Sequence, residues 1–122
     1  MKYLIAVLML VLLVAPTAMA QTPVPNPTLY EFEPSADHAT IDAYELGVYT
    51  AVSDILIATL TIGKPVVDAD GKCRGPLNVQ PIKFGVYVAK VRARAVDVLS
   101  PWSDPSNLWD REPGKPGKIV IK

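Results

Sequence analysis

Apolar and polar residues alternate along much of this chain, and that spacing predicts β-strands. The clearest case is GVYVAKVRARA at 85–95, where one parity is apolar or small and the other becomes basic. The first set is Tyr87, Ala89, Val91, Ala93 and Ala95, and the second is Lys90, Arg92 and Arg94. Because successive side chains of a strand point to opposite faces, we expect the first set to pack on a core.

Shorter runs predict further strands at 28–33 and 43–51 and a last strand near Trp109. The second of these runs carries Tyr44, Leu46 and Val48 on one face and Glu45 and Tyr49 on the other. The run DILIATLTIG at 54–63 is apolar on one parity and half apolar on the other, so a helix is the competing assignment. Its β-branched residues and the closing Gly63-Lys64-Pro65 favour a strand with Leu56, Ala58, Leu60 and Ile62 on one face.

About six strands joined by turns predict an all-β chain folded as a β-sandwich. The Asp70-Gly71 pair is a turn signal, and the twelve prolines interrupt helices. Three of these prolines lie in 21–27, which we expect to be an extended linker or edge. A second linker, REPGKPG at 111–117, precedes the alternating end KIVIK at 118–122.

The first twenty residues have the features of a secretory signal peptide. Lys2 precedes an apolar run of 13 residues at 3–15, and Ala18-Met19-Ala20 supplies the small residues of a cleavage site. Thirteen helical residues span about 20 Å, short of a bilayer core of about 30 Å. We therefore expect cleavage after residue 20 and a secreted, extracellular or periplasmic, protein; an uncleaved N-terminal anchor is the alternative.

The remaining 102 residues, 21–122, suffice for one domain with one core. Without Lys2 the chain has 11 basic and 12 acidic side chains, a net charge of −1. This balance gives no global field for nucleic acid or for an anionic membrane. Cys73 is the single cysteine, so no internal disulfide is expected; it is either a buried, inert thiol or a free or intermolecular one.

Four pieces of the sequence resemble the fibronectin type III domain, in the divergent form common in secreted bacterial and phage proteins. FEPSADHATIDAYEL at 32–46 is similar to the second and third strands with their loop, and Phe32 stands where the family has tryptophan. LNVQPIKFGVYVAKVRA at 77–93 resembles the tyrosine-corner region and the sixth strand, and within it YVAKVRA matches closely. SPWSDPSN at 100–107 resembles the start of the last strand. The resemblance covers residues 28–110 and implies an immunoglobulin-like β-sandwich of six to seven strands.

Two departures from the family pattern carry expectations of their own. Only eleven residues of 21–122 precede Phe32, so the first strand is short or missing. The spacing from Pro81 to Tyr87 is longer than in the family, which leaves the partner of the Tyr87 hydroxyl open. A missing edge strand would expose unpaired backbone groups and permit self-association there. The tail at 111–122 is expected either to be loose or to add KIVIK as an extra strand, to its own domain or to another molecule.

The candidate site consists of Lys90, Arg92, Arg94 and Trp102. The three cations follow each other at about 6.6 Å on one strand face and would repel one another without a partner. Trp102 follows eight residues after Arg94, close enough to return and stack on them. LSPWS at 99–103 resembles the WSxWS motif beside the tryptophan–arginine ladder of cytokine receptors, with Leu99 in place of the first tryptophan. A structural ladder, a solvated basic face and a ligand-binding patch are the three interpretations.

No pattern in the sequence indicates catalytic, metal-binding or cofactor-binding residues. His38 is expected to be a solvated loop residue, and Asp68 and Asp70 match only a fragment of a calcium loop. We therefore expect a non-enzymatic, secreted binding or adhesion module, without membrane attachment after cleavage, that recognises an unknown protein or cell-surface partner. The alternative is a structural subunit or decoration protein of a surface assembly or virion, joined through the open sheet edge.

Overall fold

The computed structural model describes residues 21–122, and the predicted signal peptide lies outside them. These residues form eight strands and no helix, and none of them lies in a helix that could cross a membrane. The strands are β1 Val24–Pro25, β2 Leu29–Phe32, β3 Ala43–Thr50, β4 Leu56–Gly63, β5 Cys73–Pro76, β6 Gly85–Ala95, β7 Val98–Leu99 and β8 Trp109–Arg111. The predicted all-β fold is confirmed.

The strands form two sheets that enclose a core as a β-sandwich. The larger sheet has the order β1-β8-β6-β3-β4, with β7 also paired to β6, and the smaller sheet is β2-β5. Antiparallel pairing joins β3 to both β6 and β4, whereas β1 runs parallel to β8. The sheets meet through aromatic side chains, because the Phe32 ring of β2 lies 4.7 Å from the Tyr44 ring of β3.

The core follows the predicted parity of β3 and β6. Its largest cluster of buried side chains is Leu46, Val48, Val79, Ile82, Tyr87 and Trp109. The Tyr87 hydroxyl donates a hydrogen bond to the carbonyl oxygen of Lys83 at 2.7 Å. This bond answers the question of the hydroxyl's partner, because it ties the start of β6 to the chain four residues earlier.

The pairing of β4 with β3 corrects one predicted face. Leu56 pairs with Tyr49, but Ala58 pairs with the next β3 residue, Val48, so the register shifts by one residue between them. Leu56 therefore shares a face with Tyr49 and not with Ala58, and it is 42% exposed. The prediction that Leu56 shares a face with Ala58, Leu60 and Ile62 is wrong, because a β-bulge, which a simple two-residue alternation cannot reveal, shifts Leu56 to the other face.

Both ends of the domain lie beside each other. β1 has only two residues and joins the larger sheet, so among residues 21–122 no strand pairs with the outer side of β2. The side-chain amide of Asn26 accepts a hydrogen bond from the Glu112 N–H and donates one to the Glu112 carbonyl, at 3.0 and 3.1 Å. Beyond this fixed point residues 113–122 form no strand, and Ile119, Val120 and Ile121 are 66–84% exposed.

Two turns complete the framework. Asp68 and Gly71 close the predicted turn before β5, with Gly71 at a φ of 83° that favours glycine. A two-residue turn, Val96-Asp97, joins β6 to β7, and Val96 has a φ of 55°. A β-branched side chain is strained in this left-handed region.

Candidate functional site

Three serines, three residues apart, fix the chain that follows β7 to the edge of β6. Each backbone N–H donates to a β6 carbonyl, and each Oγ accepts a β6 N–H, all at 2.8–2.9 Å. Ser100 pairs in this way with Ala93, Ser103 with Val91 and Ser106 with Ala89. Each hydroxyl also donates to the carbonyl of the following residue. We call residues 100–106 the serine edge, since the hydroxyls take the place of strand carbonyls.

The spacing of the serine edge explains its shape. Two residues of β6 span about 6.6 Å, so three residues of the serine edge advance by only about 2.2 Å each, less than in a strand. Only the serine N–H groups are used in bonds to β6. Pro101 and Pro105, which have no N–H, are therefore tolerated between them. The coiled path projects Trp102 across the outer face of the larger sheet.

The Trp102 ring lies so close to the β3 backbone that there is no room for a side chain beneath it. A Cβ atom at Gly47 would come within 2.9 Å of the Trp102 ring. The Tyr49 ring meets Trp102 edge-on, with centroids 5.7 Å apart and planes at 86°. Glycine at position 47 of β3 is thus required by the close approach of the indole.

The basic side chains of β6 alternate with these rings. The Arg92 guanidinium lies 4.1 Å from the Trp102 ring centroid and its Nη2 is 3.1 Å from Glu45 Oε2. At the other end, Lys90 Nζ lies 4.3 Å from the Tyr49 ring centroid and 3.0 Å from Asp54 Oδ1. We call this row the outer-face ladder: Asp54, Lys90, Tyr49, Trp102, Arg92 and Glu45.

The outer-face ladder carries no net charge, since its two cations meet two carboxylates. Arg94 does not join it: this exposed residue pairs with Leu99 in the β6–β7 hairpin, before Trp102 crosses the sheet. Among residues 21–122, no ion pair or ring contact involves Arg94. The structure therefore brings Lys90, Arg92 and Trp102 together and leaves Arg94 apart. Sequence reasoning missed Glu45, Tyr49 and Asp54, although the first two share the outer parity of β3.

A second polar cluster surrounds Arg74 on the outer face of the smaller sheet. Its guanidinium bonds to Glu31 at 2.6 Å, to Asp68 at 3.0 Å and to Asp70. The hydrogen bond from Arg74 lowers the pKa of the Asp70 carboxyl, and the acidic partners raise the pKa of Arg74. Asp68 and Asp70 are thus engaged by an arginine, in agreement with the turn rather than the calcium interpretation.

His38 is not the solvated loop residue that the sequence predicted. It is half-buried, and its Nδ1 lies 2.8 Å from the Tyr44 hydroxyl, which also accepts the Ser35 N–H at 3.0 Å. Burial raises the pKa of Tyr44. The contact could not be foreseen because it forms only when the 35–41 loop folds back over the end of β3.

A cleft of about 290 Å³ lies between the sheets, on the side of β2 that no other strand of residues 21–122 covers. Its floor is largely apolar, and the serine edge forms the opposite wall through Ser103 and Ser106. The apolar floor comprises Tyr30, Phe32, Leu46, Ala89, Val91 and Trp109. The sequence pattern predicts only a missing edge strand and not the cleft itself, since the cleft depends on how far apart the two sheets are at their unpaired side.

The rim of the cleft offers backbone hydrogen-bonding groups. Leu77 N–H donates to the Thr28 carbonyl at 2.8 Å, so the backbone groups of Thr28 point toward β5. In the β2–β5 register the backbone groups of Tyr30 and Phe32, two and four residues later, point toward β5 in the same way. Because the orientation alternates in an antiparallel pair, the N–H and C=O groups of Leu29 and Glu31 point away from β5. These groups face outward along the cleft as an unpaired strand edge does.

Within residues 21–122, no three His, Cys, Asp or Glu side chains converge as metal ligands would. Two features remain as candidates for a binding surface: the outer-face ladder and the cleft beside β2. Comparisons with protein-family models, with curated proteins and with solved structures find no match to this chain.

Proposed function

We propose that this protein is a non-enzymatic, secreted binding or adhesion module of fibronectin type III type, which recognises a protein partner by adding a strand of that partner to β2. The cleft beside β2 is the observation that carries the proposal. It combines an unpaired strand edge with apolar space for alternate side chains, and those are the two requirements of strand addition.

The fibronectin type III assignment is supported by the arrangement of the strands and by one hydrogen bond. A β2-β5 sheet faces a sheet of β4, β3, β6 and β8, and the Tyr87 hydroxyl binds a backbone carbonyl just upstream. A tyrosine in this position is typical of immunoglobulin-like sandwiches. Secretion is proposed from the signal peptide predicted at 1–20.

The outer-face ladder has a structural role in this proposal. Its cations already form ion pairs with Asp54 and Glu45. The Trp102 ring is likewise occupied, because it stacks on Arg92 and lies close to Gly47. A ligand there would have to displace these contacts. The cleft requires no such displacement, which favours it as the binding surface.

A selection of displayed random peptides on the immobilised full chain tests the function. We expect enrichment of extended peptides with apolar residues at alternate positions. Binding should be lost in Leu29→Pro, whose missing N–H faces away from β5, and kept in Val66→Arg, a change at an exposed residue outside the cleft. Peptides that bind equally well to Leu29→Pro, or no enrichment at all, would contradict the proposal.

A second candidate function is a structural subunit or decoration protein of a surface assembly or virion. The exposed apolar end of the chain favours it, because Ile119 and Ile121 are 79% and 84% exposed in a molecule that also has an acceptor edge. Light scattering separates the two: a monomer at all concentrations favours the module, and concentration-dependent polymers favour the subunit.

A further inference from the structure

We infer that the strand that fills the cleft beside β2 is the KIVIK end, residues 118–122, of a second copy of this chain. The inference rests on the strand-accepting cleft of the proposed function, and it favours the second candidate, a structural subunit, because it names a second copy as the partner of that cleft. It is supported by the complementarity between residues 118–122 and the cleft, which do not contact each other within one molecule.

The tail has the side-chain pattern that the cleft accepts. In an extended strand Ile119 and Ile121 point to one face, and Lys118, Val120 and Lys122 point to the other. With the two isoleucines directed into the cleft they would meet the apolar floor, which includes Tyr30, Leu46 and Trp109. Ile119, Val120 and Ile121 form a contiguous exposed apolar run, and contiguous apolar patches, unlike single exposed residues, mark interaction sites.

Charge favours the same orientation. When the isoleucines enter the cleft, the lysines of the tail face outward on the side of the smaller sheet that carries Glu31, and Glu33 follows directly after β2. Glu33 makes no ion pair in the part of the chain that the structure describes. No acidic residue lies between Glu112 and Lys122, so the side chains of the tail carry only positive charges. Glu31, Asp68 and Asp70 are already paired with Lys72 and Arg74, which leaves a single excess negative charge in that cluster beside the unpaired Glu33. Opposite charges on neighbouring strands stabilise their pairing.

A second copy is the occupant because the tail of the same molecule lies outside the cleft: no residue of 113–122 lines it. Asn26 holds Glu112 at the end of β8, and from there the tail leaves the domain. No atom lies within 4 Å of a Cβ placed on Gly114 or Gly117, so these two positions of the tail do not pack against the domain on that side. Running beside its own β2 would require a reversal within 113–117, whereas insertion into a neighbour requires none. Because donor and acceptor lie on different surfaces, repetition gives an open head-to-tail chain of molecules.

Sedimentation velocity on the full chain, over concentrations from about 1 μM to 1 mM, tests the inference. We expect concentration-dependent oligomers. The double variant Ile119→Lys/Ile121→Lys should weaken association at least tenfold, by roughly the cost of losing buried isoleucine. Val120→Lys, which changes the opposite parity with the same charge, should leave association intact. Leu29→Pro should remove the acceptor without removing a bond to β5.

Mixing the two defective variants gives the decisive result. The double isoleucine variant keeps its cleft and Leu29→Pro keeps its tail, so together they should form one-to-one dimers that grow no further. If Leu29→Pro does not fold, a disulfide test replaces it. A chain carrying Leu29→Cys, mixed with a chain carrying Val120→Cys, should form an intermolecular disulfide, whereas a chain carrying Val66→Cys mixed with the same Val120→Cys chain should not.

Three outcomes would overturn the inference: a monomeric chain at 1 mM, equal effects of the Val120 and isoleucine changes, or a monomer that the isoleucine changes destabilise, which indicates insertion within one molecule. Failure here does not remove the proposed function. A monomer whose cleft still binds selected peptides in a Leu29-dependent way refutes the tail as occupant alone, whereas a monomer that binds none refutes both.

Discussion

Replacing Trp102 with alanine tests whether the outer-face ladder stabilises the fold. The indole is half-buried and lies between Arg92 and Tyr49 over the Gly47 backbone. A fully buried tryptophan costs about 3–5 kcal/mol when truncated to alanine, and roughly half of that applies here. The contacts with arginine and with the tyrosine edge each contribute about 0.5–1.5 kcal/mol more. We therefore expect Trp102→Ala to lower the free energy of unfolding by about 2.5–5.5 kcal/mol.

Urea denaturation followed by the fluorescence of the buried Trp109 measures this change, and the melting temperature should fall by roughly 8 °C or more. Phe84→Ala is the matched control, because Phe84 also lies under a guanidinium, 5.0 Å from that of Arg111, but is 62% exposed. The control should cost less than about 1 kcal/mol. A double-mutant cycle with Arg92→Ala isolates the stacked pair.

Equal losses for Trp102→Ala and Phe84→Ala would refute the structural interpretation of the outer-face ladder. The result would mean that the indole contributes no more than a surface aromatic, and Trp102 would then be better explained as part of a binding patch. A large loss with no coupling to Arg92 would keep the packing argument and reject the cation–π contribution.

Three further changes address other parts of the fold. Ser103→Ala leaves the Val91 N–H without its acceptor and should cost about 1–2 kcal/mol, with faster hydrogen exchange at Val91; unchanged exchange there would contradict the serine edge. Val96→Gly should raise the free energy of unfolding by about 0.5–2 kcal/mol because it relieves a φ of 55°, while Val98→Gly in β7 should lower it; a lower melting temperature for Val96→Gly would count against strain in the turn. Cys73 has no exposed surface and burial raises the pKa of its thiol, so a thiol reagent should modify it only as fast as the protein unfolds; rapid labelling of the native protein would exclude an inert thiol.

The regular parts of the fold could be predicted because they depend on local alternation. β6 begins and ends at the predicted residues, and the β3 side chains of the largest core cluster, Leu46 and Val48, lie on the predicted face. Glu45 and Tyr49 on the other face are also buried, because Trp102 and the β6 cations cover them. Leu56 could not be placed, since the bulge that turns it outward is a property of the β3–β4 pairing and not of either strand alone. The contact of His38 with Tyr44 likewise depends on tertiary folding of a loop.

The candidate site was predictable in part for the same reason. Arg92 and Trp102 could be brought together from their parity and separation, but the exclusion of Arg94 required the length of the β6–β7 hairpin. The serine spacing was visible in the sequence as Ser100, Ser103 and Ser106, yet its meaning depends on β6 lying alongside. The cleft was anticipated only as a missing strand, and its volume and apolar floor follow from the separation of two sheets.

The ratio of three serine-edge residues to two β6 residues restricts how the length of this loop can change. Inserting or deleting one residue between Ser100 and Ser106 would put a different side chain opposite each β6 N–H and rotate Trp102 off Gly47. Adding three residues with a fourth serine would only extend the repeat along two more residues of the strand. Homologous chains that keep this structure should therefore vary in length here by multiples of three.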